Sequence, residues 1–368
     1  MVQILEPNAS GHRLYYVRVL AEALSGSTVE WLTSPEAAIS REAEVHLSEV
    51  LDRALLRCVQ IDSWQQRRKV LRDVNQADHL VIIPDGDRWL PVLLWRTLLT
   101  LGVPRRASYR VLCIRPPLEA SGGGRVLAKL RGAAKSLLIR AIACLNSRSR
   151  AIEIFSLVDS FGFTADWVPV GTSPVADPVM PRELPSRAQA RQHLGIAEDI
   201  LVVGLLGVID QRKNPEMVAA GCVTAFRHMN GLLLVAGQMA VEVVPSDSFA
   251  ALSGSHQLHV EDRYLSEDEL GVAAAACDAV ALMYDNHASA SGVLSLAAQA
   301  GAAVIVPRRS RLARIARAGG FAIESSFSGE DFARSLQRVA SERDALSSAA
   351  LHASSRLGIA DFVTRLTE

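Results

Sequence analysis

The sequence predicts an α/β protein made of two doubly wound parallel sheets in tandem. Three observations carry that expectation. Short apolar runs of strand length alternate with helical stretches along the chain. Its 368 residues exceed what one core usually holds, so two domains of comparable size are expected. The apolar share is 49% with only 5% aromatic residues, which suits stacked helices and parallel strands better than a β-sandwich.

Charge and cysteine usage narrow the function classes. With 39 basic and 39 acidic residues the formal net charge is zero, so bulk electrostatics give no case for a nucleic acid or an acidic partner. The five cysteines, Cys58, Cys113, Cys144, Cys222 and Cys277, form no C-x-x-C pair and lie mostly in apolar runs. They read as reduced, buried thiols of a cytoplasmic chain. Met1 is followed at once by the strand-like VQILEP, so no secretory leader is expected. No run of about 18 apolar residues marks a membrane span.

Residues 1–170 form the expected first domain. Val2–Leu5 reads as a strand, Glu6–His12 as a turn-rich loop, and Arg13–Leu24 as a helix. Gly11 and His12, with Arg13 and Arg18, are candidates to face a ligand, or else the solvated start of a helix. The loop lacks G-x-G-x-x-G and G-x-x-x-x-G-K-[ST], so dinucleotide and P-loop readings lose support. Strands are expected at Val29–Leu32, His79–Ile83, Arg110–Ile114, Ala151–Leu157 and Ala165–Val170, with helices at Ser63–Asn75 and Leu90–Leu101. Asp85 and Asp87 follow the run His79–Ile83. They are candidates for a catalytic base or for hydrogen-bonding an acceptor hydroxyl, and equally for an Asp-Gly turn capping the next helix. Residues 125–144 have no acidic residue, and Arg125, Lys129, Arg131, Lys135 and Arg140 interrupt Leu, Ile and Ala at helical spacing. Such a helix fits the surface of an anionic membrane, here the inner face, or a phosphate-bearing acceptor, and equally an ordinary solvated basic face.

Pro169–Pro185 carries five of the fifteen prolines and no periodicity, so 171–185 is the expected linker. The second domain is expected over 186–355, with 356–368 as a closing helical segment. Ile200–Leu206 is a buried strand ending in Gly207, and Arg212 and Lys213 lie just before Pro215, which suits a first helical position. Two cations there form a candidate diphosphate clamp, or a surface Arg-Lys pair. Leu232–Gly237 is another strand. Ser266 to Glu269 has the pattern of a capping box.

The chain is organised around Asp278–Pro307: a short strand, the polar loop Tyr284–Ala290, a small-residue helix opened by Ser291 and Gly292, and a second strand. A loop between a strand's carboxyl end and a helix's amino end presents unpaired N–H groups to an anion. Ser291 adds a hydroxyl and Gly292 permits close approach; the same two residues also make an ordinary helix cap.

LLGVIDQRKNPE, LLLVAGQ, VEDRYLSEDELGVAAAACDAVAL and YDNHASASGVLSLAAQAGAAVIV, in this order, resemble the carboxy-terminal half of GT-B glycosyltransferases of the large retaining, nucleotide-sugar-dependent family 4. The resemblance covers Ser186 to about Glu342; residues 1–168 match only in their βα rhythm and Gly-bearing first loop. It implies two Rossmann-like domains facing each other across a cleft, a nucleotide-diphosphate sugar as donor, no further cofactor or metal, and a last helix crossing back to the first domain. It implies that Lys213 and Arg212 contact the donor diphosphate and that Gly207, Ser291, Gly292 and Val293 line it. Tyr264 and Leu265 fall near the base, and Tyr284, His287 and Ser289 near the donor. Acceptor contacts fall to Gly11, His12, Asp85 and Asp87. Ala288 and Leu296 stand where the family commonly has two glutamates, one on the sugar and one on the ribose. That departure leaves a catalytically degenerate scaffold as the rival reading and a nucleotide-sugar epimerase as a third.

Overall fold

In the computed structural model, the described residues are 1–9, 13–41, 43–44, 47–48, 55–74, 79–99, 107–114, 125–146, 151–163, 168–240, 246–285 and 291–368. They divide into two units, Met1–Met180 with Ile359–Glu368, and Pro181–Gly358.

Unit 1 contains β1 (Val2–Leu5), α1 (Arg13–Ala23), β2 (Val29–Thr33), α2 (Pro35–Ala38), β3 (Leu55–Cys58), α3 (Trp64–Asp73), β4 (His79–Ile83), α4 (Leu90–Leu99), β5 (Ala107–Cys113), α5 (Arg125–Asn146), β6 (Ile152–Val158) and β7 (Ser173–Ala176). The strands form one sheet in the order β3-β2-β1-β4-β5-β6-β7, with parallel neighbours. β1 is flanked by both β2 and β4, with Ile4 opposite Trp31 on one side and Ile82 on the other. The alternation of side chains sends Leu5, Leu32, Ile83 and Val111 to one face, under Leu71, Leu93 and Ile139 of α3, α4 and α5. Ile4, Trp31, Ile82 and Leu112 go to the other face, where Leu14, Val17 and Leu20 of α1 cover them. Both faces are buried, as a sheet of βα units requires.

Unit 2 contains α6 (Arg187–Leu194), β8 (Leu201–Leu206), α7 (Pro215–Phe226), β9 (Gly231–Ala236), α8 (Asp247–Gly254), β10 (Leu258–Glu261), α9 (Glu267–Ala276), β11 (Ala279–Ala281), α10 (Gly292–Gln299), β12 (Ala303–Pro307), α11 (Arg311–Ala318), β13 (Ala322–Ser325), α12 (Gly329–Ser341) and α13 (Arg343–Ser354). The parallel sheet runs β10-β9-β8-β11-β12-β13. Capping boxes start α6 (Ser186 with Gln189) and α9 (Ser266 with Glu269), satisfying N–H groups that the helix leaves open. At the amino end of β11 the buried Asp278 accepts from the Val202 N–H at 2.8 Å and pairs with Arg191 at 2.7 Å. Arg187 and Arg343 join it, tying α6 and α13 to the sheet. The last helix, α14 (Ala360–Thr367), returns to unit 1. There Phe362 and Leu366 are buried in the α1 layer, and the Phe362 ring lies 5.6 Å from that of Tyr16.

Three expectations need correction. The proline-rich 171–185 segment holds a strand, β7, paired with β6, and the change of unit falls at Met180/Pro181. Pro174 has no N–H to donate, and β7 is an edge strand, where that loss is tolerated. Val168–Val170, expected to end a strand, are not in one, and 164–167 lie outside the described residues. Cys113, Cys222 and Cys277 are buried, whereas Cys58 on the edge strand β3 and Cys144 on α5 are exposed.

Candidate functional site

In each sheet the strand order reverses once, between β1 and β4 in unit 1 and between β8 and β11 in unit 2. Loops leaving the carboxyl ends of such strand pairs diverge, and the crevice between them is where doubly wound sheets bind ligands.

In unit 2, β8 ends at Gly207, whose φ of +76° is left-handed and suits glycine. The chain then enters a 3₁₀ turn over Gln211–Lys213, where Asp210 accepts from the Arg212 N–H at 3.1 Å. The turn is docked on the end of β11: the Asp285 N–H donates to the Arg212 carbonyl at 2.8 Å, and Asn214 Nδ2 donates to the Met283 carbonyl at 2.8 Å. Lys213 is thereby folded under its own loop. It is 7% exposed, and its Nζ donates to the Leu206 carbonyl. Burial pulls its pKa down to about 8, with Arg212 adding to the fall and Asp210 opposing it. A Cβ on Gly207 would lie 3.5 Å from Lys213 Nζ and 3.7 Å from Val293 Cγ2. The two loops therefore meet.

α10 supplies the other wall. Ser291 caps it, its Oγ accepting from the Leu294 N–H at 3.3 Å, and Gly292 and Val293 occupy the first turn, whose N–H groups have no acceptor within a helix. Ser291 also hydrogen-bonds Tyr284, whose ring lies 5.8 Å from Lys213 Nζ; burial pushes that phenol up to about 12. Gly207, Lys213, Tyr284, Ser291, Gly292 and Val293 are thus brought together, an ammonium on one side and a helix amino end on the other. Such a set can hold a phosphate group and stabilise charge that develops on it.

The remaining unit 2 candidates are placed less centrally. Arg212 points outward, its side chain 75% exposed, and Asp210 grips its Nε at 2.9 Å and Nη2 at 2.6 Å. Tyr264 is exposed and Leu265 half-buried in the loop after β10, the edge strand beyond β9. His287 and Ser289 lie outside the described residues. Sequence reasoning missed Asp210 and Gly237. Gly237 follows β9 with φ +134°, and a Cβ there would fall 2.1 Å from the Gly207 carbonyl oxygen, so only glycine lets the β8 loop lie against it. The Val-Ala-Gly end of that strand was the available signal.

In unit 1, Asp85 follows β4 and is 2% exposed, its Oδ2 held at 2.7 Å by Nε of Arg13, the first residue of α1. It makes no side-chain cap to the 3₁₀ turn Gly86–Arg88 that it precedes. Asp87, within that turn, pairs with Lys135 of α5. Both carboxylates are committed to cations of their own domain, so a catalytic base at either position would first have to exchange that partner. Gly11 and His12 lie outside the described residues. The group that sequence reasoning missed is Glu6, at the end of β1 beside the end of β4. It has 0% exposure; its Oε1 accepts from the Asn8 N–H at 2.9 Å and from Asn8 Nδ2 at 3.3 Å. Among the described residues its Oε2 has no hydrogen-bond partner. Burial raises its pKa to about 7, with Asp85 raising it further and Arg13 and the Asn8 bonds opposing. A carboxylate closing an apolar strand was the only sign of it in the sequence.

No family model and no curated protein matches the sequence. Solved structures do match at the level of fold. HepE from Anabaena in complex with UDP superposes with a TM-score of 0.69 at 12% identity, covering 99% of this chain and 98% of that one. A glycosyltransferase from Rickettsia africae gives 0.67 at 9% identity over 99% and 95%. Sucrose-phosphate synthase from Thermosynechococcus elongatus gives 0.63 at 11% identity over 99% and 96%. The chain has the GT-B fold. Within this GT-B chain Lys213 lies at the reversal point of the unit 2 sheet and Glu6 at that of the unit 1 sheet. Among the described residues no three His, Cys, Asp or Glu side chains gather at metal-ligand spacing, and no helix is long and apolar enough to cross a membrane.

Proposed function

We propose that the chain is a glycosyltransferase that moves a sugar from a nucleotide-diphosphate sugar to an acceptor hydroxyl. The observation that carries the reading is the meeting of Lys213 with the Ser291-capped start of α10 over Gly207, at the reversal point of the unit 2 sheet. The complexes of HepE with UDP, with UDP and glucose, and with UDP-glucose support a nucleotide sugar as the ligand of this fold.

In the proposed reaction the acceptor oxygen forms a bond to the anomeric carbon as that carbon's bond to the diphosphate breaks. The electron pair leaves with the diphosphate, whose oxygen also takes the acceptor's proton. Lys213, α10 and the exposed Arg212 stabilise the charge that accumulates there, so the reading gives a metal no role. Retention of configuration and a hexosyl-type donor, as in family 4, complete it, with Tyr264 and Leu265 near the base and Tyr284, His287 and Ser289 near the sugar. Asp85, Asp87, Gly11 and His12 lie on the acceptor side. α5 is proposed as a peripheral membrane contact: Leu130 and Leu137 are 61% and 65% exposed, beside the exposed Arg131 and Arg140.

Titration calorimetry of the full chain against UDP, GDP and ADP tests the donor site; no heat with any of them removes it. Lys213→Ala should weaken the bound nucleotide by roughly tenfold to a hundredfold, the worth of a hydrogen bond to a charged group. One observation favours the rival scaffold reading. Leu296, where a ribose-binding glutamate commonly stands in the resembled family, is buried at 5% exposure inside α10. Nucleotide release from UDP-glucose that Lys213→Ala abolishes supports the enzyme, while nucleotide binding without turnover supports the scaffold.

A further inference from the structure

Unit 1 has its own reversal point, and the group placed there is unusual. Glu6 directly follows β1, the neighbour of β4, carries no solvent exposure, and among the described residues leaves one carboxyl oxygen, Oε2, without a hydrogen-bond partner. An unpaired buried polar oxygen lowers stability, so a side chain kept in that state calls for a partner. We propose that Glu6 is the hydrogen-bonding group by which unit 1 holds a neutral, hydroxyl-bearing ligand at the carboxyl ends of β1 and β4.

The surrounding charges select that ligand class. Asp85 approaches from β4 and Arg13 from α1, already joined at 2.7 Å. Asn8 occupies Oε1 and is held from behind by Arg88, whose Nη1 donates to Asn8 Oδ1 at 3.1 Å. From β2, Trp31 Nε1 donates to the Glu6 backbone carbonyl at 3.1 Å. Two carboxyl groups beside a guanidinium that is already paired with one of them repel a phosphate. A hydroxyl fits both states of the carboxyl, because it accepts from the protonated acid and donates to the carboxylate. Burial raises the Glu6 pKa to about 7, so both forms of the carboxyl bear on binding near neutrality. In the sugar-transfer reading, on which this assignment of a role rests, the ligand is the acceptor, and its contact at Glu6 is neutral rather than phosphorylated.

The test uses the full-length protein with carboxyl-labelled glutamate and carbon NMR. The probes are methyl glycosides of glucose, galactose and mannose, with glucose 6-phosphate as the charged control. The Glu6 resonance of the wild type should titrate near neutrality, and a neutral glycoside should move the chemical shift of that resonance while glucose 6-phosphate leaves it in place. Glu6→Leu should weaken the glycoside by at least about tenfold while leaving the thermal midpoint unchanged or higher, and Glu6→Gln, which can still donate and accept, should restore binding without the titration. A Glu6 signal indifferent to every glycoside overturns the proposal. So does a Leu variant that binds as the wild type does, or one that loses stability and so marks a structural carboxyl. UDP titrated into the same wild-type sample keeps the two ideas apart: its failure removes the donor reading, whereas the glycoside response alone decides Glu6.

Discussion

Lys213 has a pKa near 8 because its loop removes it from water, and that sets the pH response of the site. Only the ammonium form attracts a diphosphate, so nucleotide affinity should be full below about 8 and fall as pH rises through it. Calorimetry of UDP on either side of that pH checks the sign; affinity rising with pH would show that Lys213 does not meet the phosphates. Gly237 allows a second test. Gly237→Ala forces a Cβ onto the Gly207 carbonyl at 2.1 Å, so the β8 loop must shift. UDP should weaken several-fold although residue 237 lies outside the proposed phosphate contacts. The grouping of Gly207, Lys213, Ser291 and Gly292 was legible because its signals are local: a glycine after an apolar strand, Arg-Lys before a helix-opening proline, Ser-Gly at a helix start. Glu6 was not, since its burial and its neighbours Asp85 and Arg13 come together only through the pairing of β1 with β4. The engagement of Asp85 and Asp87 by Arg13 and Lys135 was hidden for the same reason, the partners lying far off in sequence.

At the scale of elements, periodicity placed most strands and helices, and the misses have a shared cause. β7 is four residues with a proline, and β3 is a four-residue strand with all four residues exposed; both sit at sheet edges, where an apolar pattern is not required. Ser291 is legible twice over, as a cap and as a candidate phosphate contact, and the two roles separate by experiment. Ser291→Ala should cost about 1 kcal/mol of stability through the lost cap. A larger proportional loss in UDP affinity than in stability would mark the second role. On α5, the combination of Leu130 and Leu137 with Arg131 and Arg140 predicts flotation with anionic phosphatidylglycerol vesicles and none with neutral ones. Changing both arginines to Glu should abolish it. Lys135 is a poor choice for that experiment because it is paired with Asp87.

The molecule as a whole is two units whose connection runs twice, once at Met180/Pro181 and again at Gly358/Ile359. Removing 359–368 should strip Phe362 and Leu366 from the layer shared with Tyr16, at roughly 1.5–3 kcal/mol for each buried side chain. Hydrogen exchange should then show β1 and β2 losing protection while β8 and β9 keep theirs; uniform loss would mean that the two units unfold as one. α14 has a consequence for synthesis as well. A nascent chain leaving the ribosome carries β1 to β7 and α1 early, yet α14, which adds Phe362 and Leu366 to the α1 layer, is made only after unit 2. Until then the layer around Tyr16 is incompletely covered while the other unit is made, an opening for chaperones and for aggregation in the same interval.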